Sequence, residues 1–127
     1  MQPSRALAAG ALLIGLAACS SGSSSGPTTA PPKADVVITA IEGIHWDAAS
    51  YTAKSANGKV IVRGDNQSSL PHNLYIIGAD GKQNASHVDL PTKGKQATEA
   101  VDITPGTYSV ICKIPGHTGM KATLTVT

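Results

Sequence analysis

The chain has 127 residues, which suits one domain. Ten Lys and Arg stand against eight Asp and Glu, and Trp46, Tyr51, Tyr75 and Tyr108 are the only aromatic residues besides His. This near-neutral balance without a basic stripe implies neither nucleic acid nor an anionic surface as a partner.

The N-terminus reads as a targeting segment and is set apart from the fold. Arg5 supplies a positive charge, and Ala6 to Gly15 is a short apolar run. That run is too short for a membrane span, which takes roughly 20 apolar residues. Leu16-Ala17-Ala18-Cys19 follows and resembles the lipobox of bacterial lipoproteins. The resemblance implies cleavage after residue 18 and lipidation of Cys19. Ordinary small-residue cleavage, leaving Cys19 as a free thiol, is the alternative. Residues 19–33 then comprise that Cys and a Ser/Gly/Pro-rich linker, Ser20 to Lys33. Such a composition cannot build a core, and fourteen residues of it reach on the order of 20 Å.

Residues 34–127 carry the fold. Ala34 to Ala40 is rich in β-branched residues and reads as a first strand. Glu42-Gly43 offers a turn, and Ile44 to Trp46 a short continuation. Asp47 to Ser50 fits a turn or one helical turn. Tyr51 to Lys54 is a weak strand, and Asn57-Gly58 a strong turn signal. Lys59 to Asn66 and Asn73 to Ile77 are strands. Lys82 to Gly94 reads as irregular, because Pro91 argues against a central strand there. Gln96 to Ile103 alternates weakly, Pro105-Gly106 turns, and Thr107 to Cys112 is a strand. Lys121 to Thr127 closes the chain with period-two alternation. Seven or eight short strands without a long helical period predict an all-β, Greek-key sandwich.

The chemistry gathers in Cys112-Lys-Ile-Pro-Gly-His117-Thr-Gly-Met120, with His72 upstream in Leu70-Pro-His72-Asn73. If Cys19 carries lipid, Cys112 has no partner for a disulfide. A lone exported thiol is an oxidation liability unless it is buried or bound. Met120 is the only Met apart from Met1. Two imidazoles, one thiolate and a weak thioether are the ligand set of a blue-copper electron-transfer site. Pro115 and Gly116 are expected to turn His117 back toward Cys112, and Gly119 to give the backbone freedom that brings Met120 round. Leu70, Pro71, Pro115 and Gly119 would form an apolar rim for brief docking.

The segment Thr104 to Val126, together with Asn66 and Leu70 to Asn73, resembles the cupredoxin family. The resemblance implies a cupredoxin-like sandwich, one mononuclear type 1 copper ion and one-electron transfer. His72, Cys112 and His117 would be the main ligands and Met120 the axial one. Asn73 would pin the Cys loop by hydrogen bonding. Many relatives with this Cys-to-His spacing have three or four residues between the His and the Met, whereas only Thr118 and Gly119 intervene here.

Rival readings remain to be weighed. Zinc normally takes four strong ligands, and this set has a Met among its four. Cys112 and Met120 as core filler would leave the joint pattern a coincidence. An adhesion-type sandwich would not need the loop at all. His45 and His87 lack partners at a useful spacing and suit the surface. Trp46 and Tyr108 suit the core. No catalytic triad, nucleotide loop or paired-carboxylate signature marks an enzyme. The expected function is therefore a monomeric, lipid-tethered electron carrier meeting redox proteins transiently. It would lie in the periplasm or on the outer face of the cell membrane. Copper storage or delivery is the alternative, and the lack of a Met-rich or His-rich tail favours electron transfer.

Overall fold

The computed structural model describes residues 33–127. The expected signal peptide, Cys19 and nearly all of the linker lie outside the described residues. Nine strands run in chain order, and no helix occurs among the described residues. They are β1 (Val36–Ile41), β2 (His45–Trp46), β3 (Ser50–Ala53), β4 (Lys59–Asn66), β5 (His72–Gly78), β6 (Gln83–Leu90), β7 (Gln96–Asp102), β8 (Gly106–Ile111) and β9 (Lys121–Val126). One sheet has the order β2-β1-β4-β7 and the other β3-β9-β8-β5-β6. This is the expected two-sheet sandwich.

Alternation explains how the sheets meet. In β9 every second residue, Ala122, Leu124 and Val126, is buried. In β4 the inward positions are Val60, Val62, Gly64 and Asn66. The core between the sheets is aliphatic, with Ile38, Leu74, Ile76, Leu90, Val101, Val110 and Leu124 all essentially inaccessible. Each such side chain contributes roughly 1.5–3 kcal/mol on burial. The long connections are parallel crossings. β1 pairs with β4, and β3 with β9. Asn57-Gly58 does form a tight left-handed turn, with φ 53° and 73°. It joins no hairpin of β3 with β4, because those strands belong to different sheets.

The expectation for Lys82 to Gly94 is corrected. Gln83–Leu90 forms β6 and pairs antiparallel with β5. β6 lies at the edge of its sheet, so its first half is mostly solvated and polar, and only Val88 and Leu90 point into the core. Pro91 falls just beyond the strand, where it breaks no ladder bond. The pairing slips between Tyr75 and Ile77, and that irregularity hides the alternation further. Asp47 to Ala49 carry no helical turn.

Gly64 lets the edge strand close over the core. A Cβ there would lie 2.9 Å from Val88 Cγ1 and within 3.2 Å of both Leu90 methyls. Gly64→Ala relieves roughly 0.5–1 kcal/mol of backbone entropy. Overpacking costs about 1–3 kcal/mol and outweighs it. Gly64→Ala is therefore expected to lower the urea midpoint of unfolding at unchanged slope.

Candidate metal centre

Three strand ends build one end of the sandwich. β4 finishes at Asn66, β5 starts at His72, and β8 finishes one residue before Cys112. Asn66 is buried and holds the connection to His72 in shape. Its amide donates to the carbonyls of Leu70 (2.9 Å) and Leu90 (3.0 Å), and its Oδ1 accepts from the Ser68 amide (2.9 Å). Buried Ser68 donates its hydroxyl to the Gly43 carbonyl (3.4 Å) and accepts from the Leu70 amide (3.1 Å). On the surface the Glu42 carboxylate accepts from Lys93 (2.8 Å) and the Ser69 hydroxyl (3.0 Å). Those donors hold its pKa below the usual carboxylate value, the lysine most of all.

The second loop is a pair of turns. The His117 amide donates to the Ile114 carbonyl (3.0 Å), with Pro115 and Gly116 between them. Gly116 sits at φ 89°, as the third position of a type II turn demands. The Met120 amide then donates to the His117 carbonyl (2.9 Å). Gly119, expected to give the backbone freedom for the turn to Met120, is not at positive φ. Gly116 absorbs the unusual dihedral one turn earlier. The Cys112 amide donates to the Met120 carbonyl (3.2 Å) and so closes the loop at its base. The Asn73 side-chain oxygen accepts from the Lys113 amide (2.7 Å), which ties the two loops together.

The result is a convergence of donors. One ligand atom from each of His72, Cys112 and His117 falls within 4.8 Å of the other two. Cys112 Sγ lies 3.5 Å from His117 Nδ1, and the two imidazole centroids are 5.0 Å apart. His72 is 2% exposed, yet neither ring nitrogen has a hydrogen-bond partner in the protein. Leaving such a group unsatisfied costs about 1–3 kcal/mol. A metal ion held by this donor set would satisfy one of the two nitrogens, so the residues present fit one. Met120 is 1% exposed, and its backbone bonds to both Cys112 and His117 hold it at the base of the same loop. His117 is half-buried.

Other expectations resolve as follows. His45 is exposed on β2. His87 stacks on Tyr75 at 4.7 Å and meets Asp89 at 3.3 Å, away from the cluster. Trp46 is buried, and its ring lies 6.4 Å from that of His72, so it walls the site as well as filling core. The anchoring role of Asn66 and the role of Ser68 escaped sequence reasoning. The inward period of β4 runs through Val60, Val62 and Gly64 to Asn66, and that was the available signal.

Comparison with known proteins agrees with this construction. Residues 34–127 match the family of copper binding proteins described as plastocyanin/azurin. Auracyanin A, a "blue" copper protein from Chloroflexus aurantiacus, is similar at TM-score 0.60 and 22% identity, covering 72% of this chain and 97% of that one. An azurin from Methylomonas sp. strain J gives TM-score 0.61 at 14% identity, over 75% and 98% of the two chains. A purple cupredoxin from Nitrosopumilus maritimus gives 0.58 at 20%, over 73% and 100%. A search of the curated proteins found no match. These solved structures share the fold. The chain belongs to the plastocyanin/azurin family of copper-binding proteins. Its cofactor is a single type 1 copper ion, and membership of this family implies copper-based electron transfer.

Burial, and next the charge of His117, hold the His72 imidazole below its ordinary pKa of 6.5. The unfolded chain therefore binds a proton that the fold refuses, and stability falls as pH drops below about 6.5. The copper-free protein is expected to lose urea resistance between pH 7.5 and pH 5. His72→Gln should show a smaller loss over the same interval. Equal losses in both proteins would assign the dependence to other groups.

Proposed function

We propose that His72, Cys112 and His117 supply the strong copper ligands and Met120 a weak axial one. On this reading the protein carries single electrons between redox partners in the cell envelope. The observation that carries it is His72, buried with both nitrogens unpartnered, beside Cys112 and His117. The bound ion supplies the one-electron couple between monovalent and divalent copper. The soft thiolate and the intermediate imidazoles suit both states. The two loops are held by backbone and Asn hydrogen bonds on strand ends, which keeps the donors in place through a redox cycle. His117 alone of the four is partly open to solvent, and Leu70, Pro71 and Pro115 in the two histidine-bearing loops are exposed. Deep burial of the other three favours retention of copper over its delivery. Multicopper catalysis would need further His-rich centres. The described residues offer one His/Cys cluster, so we read the protein as a carrier and not an enzyme.

Loading the protein with divalent copper is expected to give an intense thiolate-to-copper band that Cys112→Ser abolishes. A colourless protein with stoichiometric copper would refute the blue-copper assignment. In protein-film voltammetry Met120→Leu should raise the reduction potential and Met120→Gln should lower it, with copper retained in both. Three coincident potentials would remove Met120 from the ligand set.

The tether belongs to the same proposal. β1 runs parallel to β4 with Val36 beside Val62 and Ala40 beside Asn66, so its first residue lies away from the His72 end. A chain anchored through residues before β1 would leave the copper end facing outward. Cys19 as a diacylated first residue would provide stable anchoring where one acyl chain is marginal. Cys19→Ala is expected to yield unprocessed precursor or soluble protein on membrane fractionation. An unmodified Cys19 in the intact mass of the native mature protein would sink this reading.

A further inference from the structure

We propose that a recess beside Cys112, flanked by Lys113 and Lys121, is a docking surface for an acidic redox protein. This rests on the copper reading above and names the chemistry of the partner. The recess has a volume of about 300 Å³ and is lined by Ile111, Cys112, Lys113, Thr118 and Lys121. Ile111 pairs with Lys121 across β8 and β9, so both lysines stand at the donor end of that sheet. Its lining holds two cationic side chains and no carboxylate.

The surrounding charges sharpen that asymmetry. Neither lysine takes part in an ion pair among the described residues, whereas three carboxylates are paired with other lysines. Glu42 is held by Lys93, Asp102 by Lys59 and Asp80 by Lys82. Lys113 is also positioned. Its ammonium lies 5.1 Å from the Tyr75 ring centroid and donates to the Gln83 amide oxygen, and Tyr75 stacks flat on His87. A lysine held in this way loses less side-chain freedom on binding than one free in solvent. Positive charge without internal neutralisation steers an acidic partner to this wall. Cys112 lies at that wall, so docking there would bring the partner next to the thiolate residue.

The test has two arms. In the first, amide shifts of the nitrogen-15-labelled, copper-free protein are followed against poly-L-glutamate and, separately, inorganic phosphate at low salt. Saturable shifts at Ile111, Lys113, Thr118 and Lys121 with poly-L-glutamate, lost in the Lys113→Glu/Lys121→Glu variant, are expected. Shifts centred elsewhere overturn the proposal. Equal saturation by millimolar phosphate also overturns it, making the recess a small-anion site. In the second arm the reduced copper protein passes one electron to hexacyanoferrate(III), giving hexacyanoferrate(II). At low ionic strength the double variant is expected to slow this step about tenfold or more, within the range of electrostatic steering. Lys54→Glu, a single exposed charge reversal at the opposite end, serves with Lys33→Glu/Lys54→Glu as the matched control for net charge. An equal loss in that double control overturns the proposal. The first arm needs no copper, and the thiolate band is read in every variant, so failure of the copper reading is seen separately.

Discussion

A buried imidazole with no hydrogen-bond partner is the constraint on which this molecule turns. His72 gives up water on both nitrogens and receives nothing from the protein in return. The fold tolerates this because the same end of the sandwich brings Cys112 and His117 to within 4.8 Å. A metal ion satisfies the three donors together, so metal affinity is coupled to the stability of the fold. The lowered pKa of His72 is the same fact seen through protons, since the surroundings that suit a metal disfavour the imidazolium.

The donors are held by polar side chains that never touch the metal position. Asn66 satisfies one carbonyl in the connection to β5, one at the end of β6 and one amide, which makes it the joint between the end of β4 and the start of β5. Asn73 carries the link across to the Cys loop through the Lys113 amide. A buried network of this kind stabilises only when complete, and its completeness gives the site one geometry. The Cys loop adds its own rigidity through two successive turns, of which only the first needs a left-handed residue. That economy explains how a short His-to-Met interval is closed without strain at Gly119.

The two faces of the donor end differ in chemistry. In the two loops that carry the histidines, the exposed residues include Leu70, Pro71 and Pro115, with Gly116, Thr118 and Gly119 exposed beside His117 in sequence. On the Cys112 wall the exposed residues are Lys113, Thr118 and Lys121, with the stacked Tyr75 and His87 beyond. Apolar contact favours brief, weakly oriented encounters, whereas charge sets approach and orientation. Both faces lie at the end away from the first residue of β1.

The sandwich class, eight of the nine strands and the grouping of His72, Cys112 and His117 were legible in the residues themselves. Period-two burial is a local property, and β4 and β9 display it without reference to neighbours. The soft donors fall in one nine-residue window, so their chemistry needed no fold to be read. Tertiary structure alone decided three matters. It made Gln83–Leu90 a strand, because pairing with β5 supplies ladder bonds that an edge strand's half-polar sequence cannot announce. It made Gly64 essential, since the close approach of Val88 and Leu90 comes from the opposite sheet. It also left His72 unpartnered, and the cause is general. Local patterns report which residues turn inward, but whether a buried polar atom finds a partner depends on what distant segments bring to it.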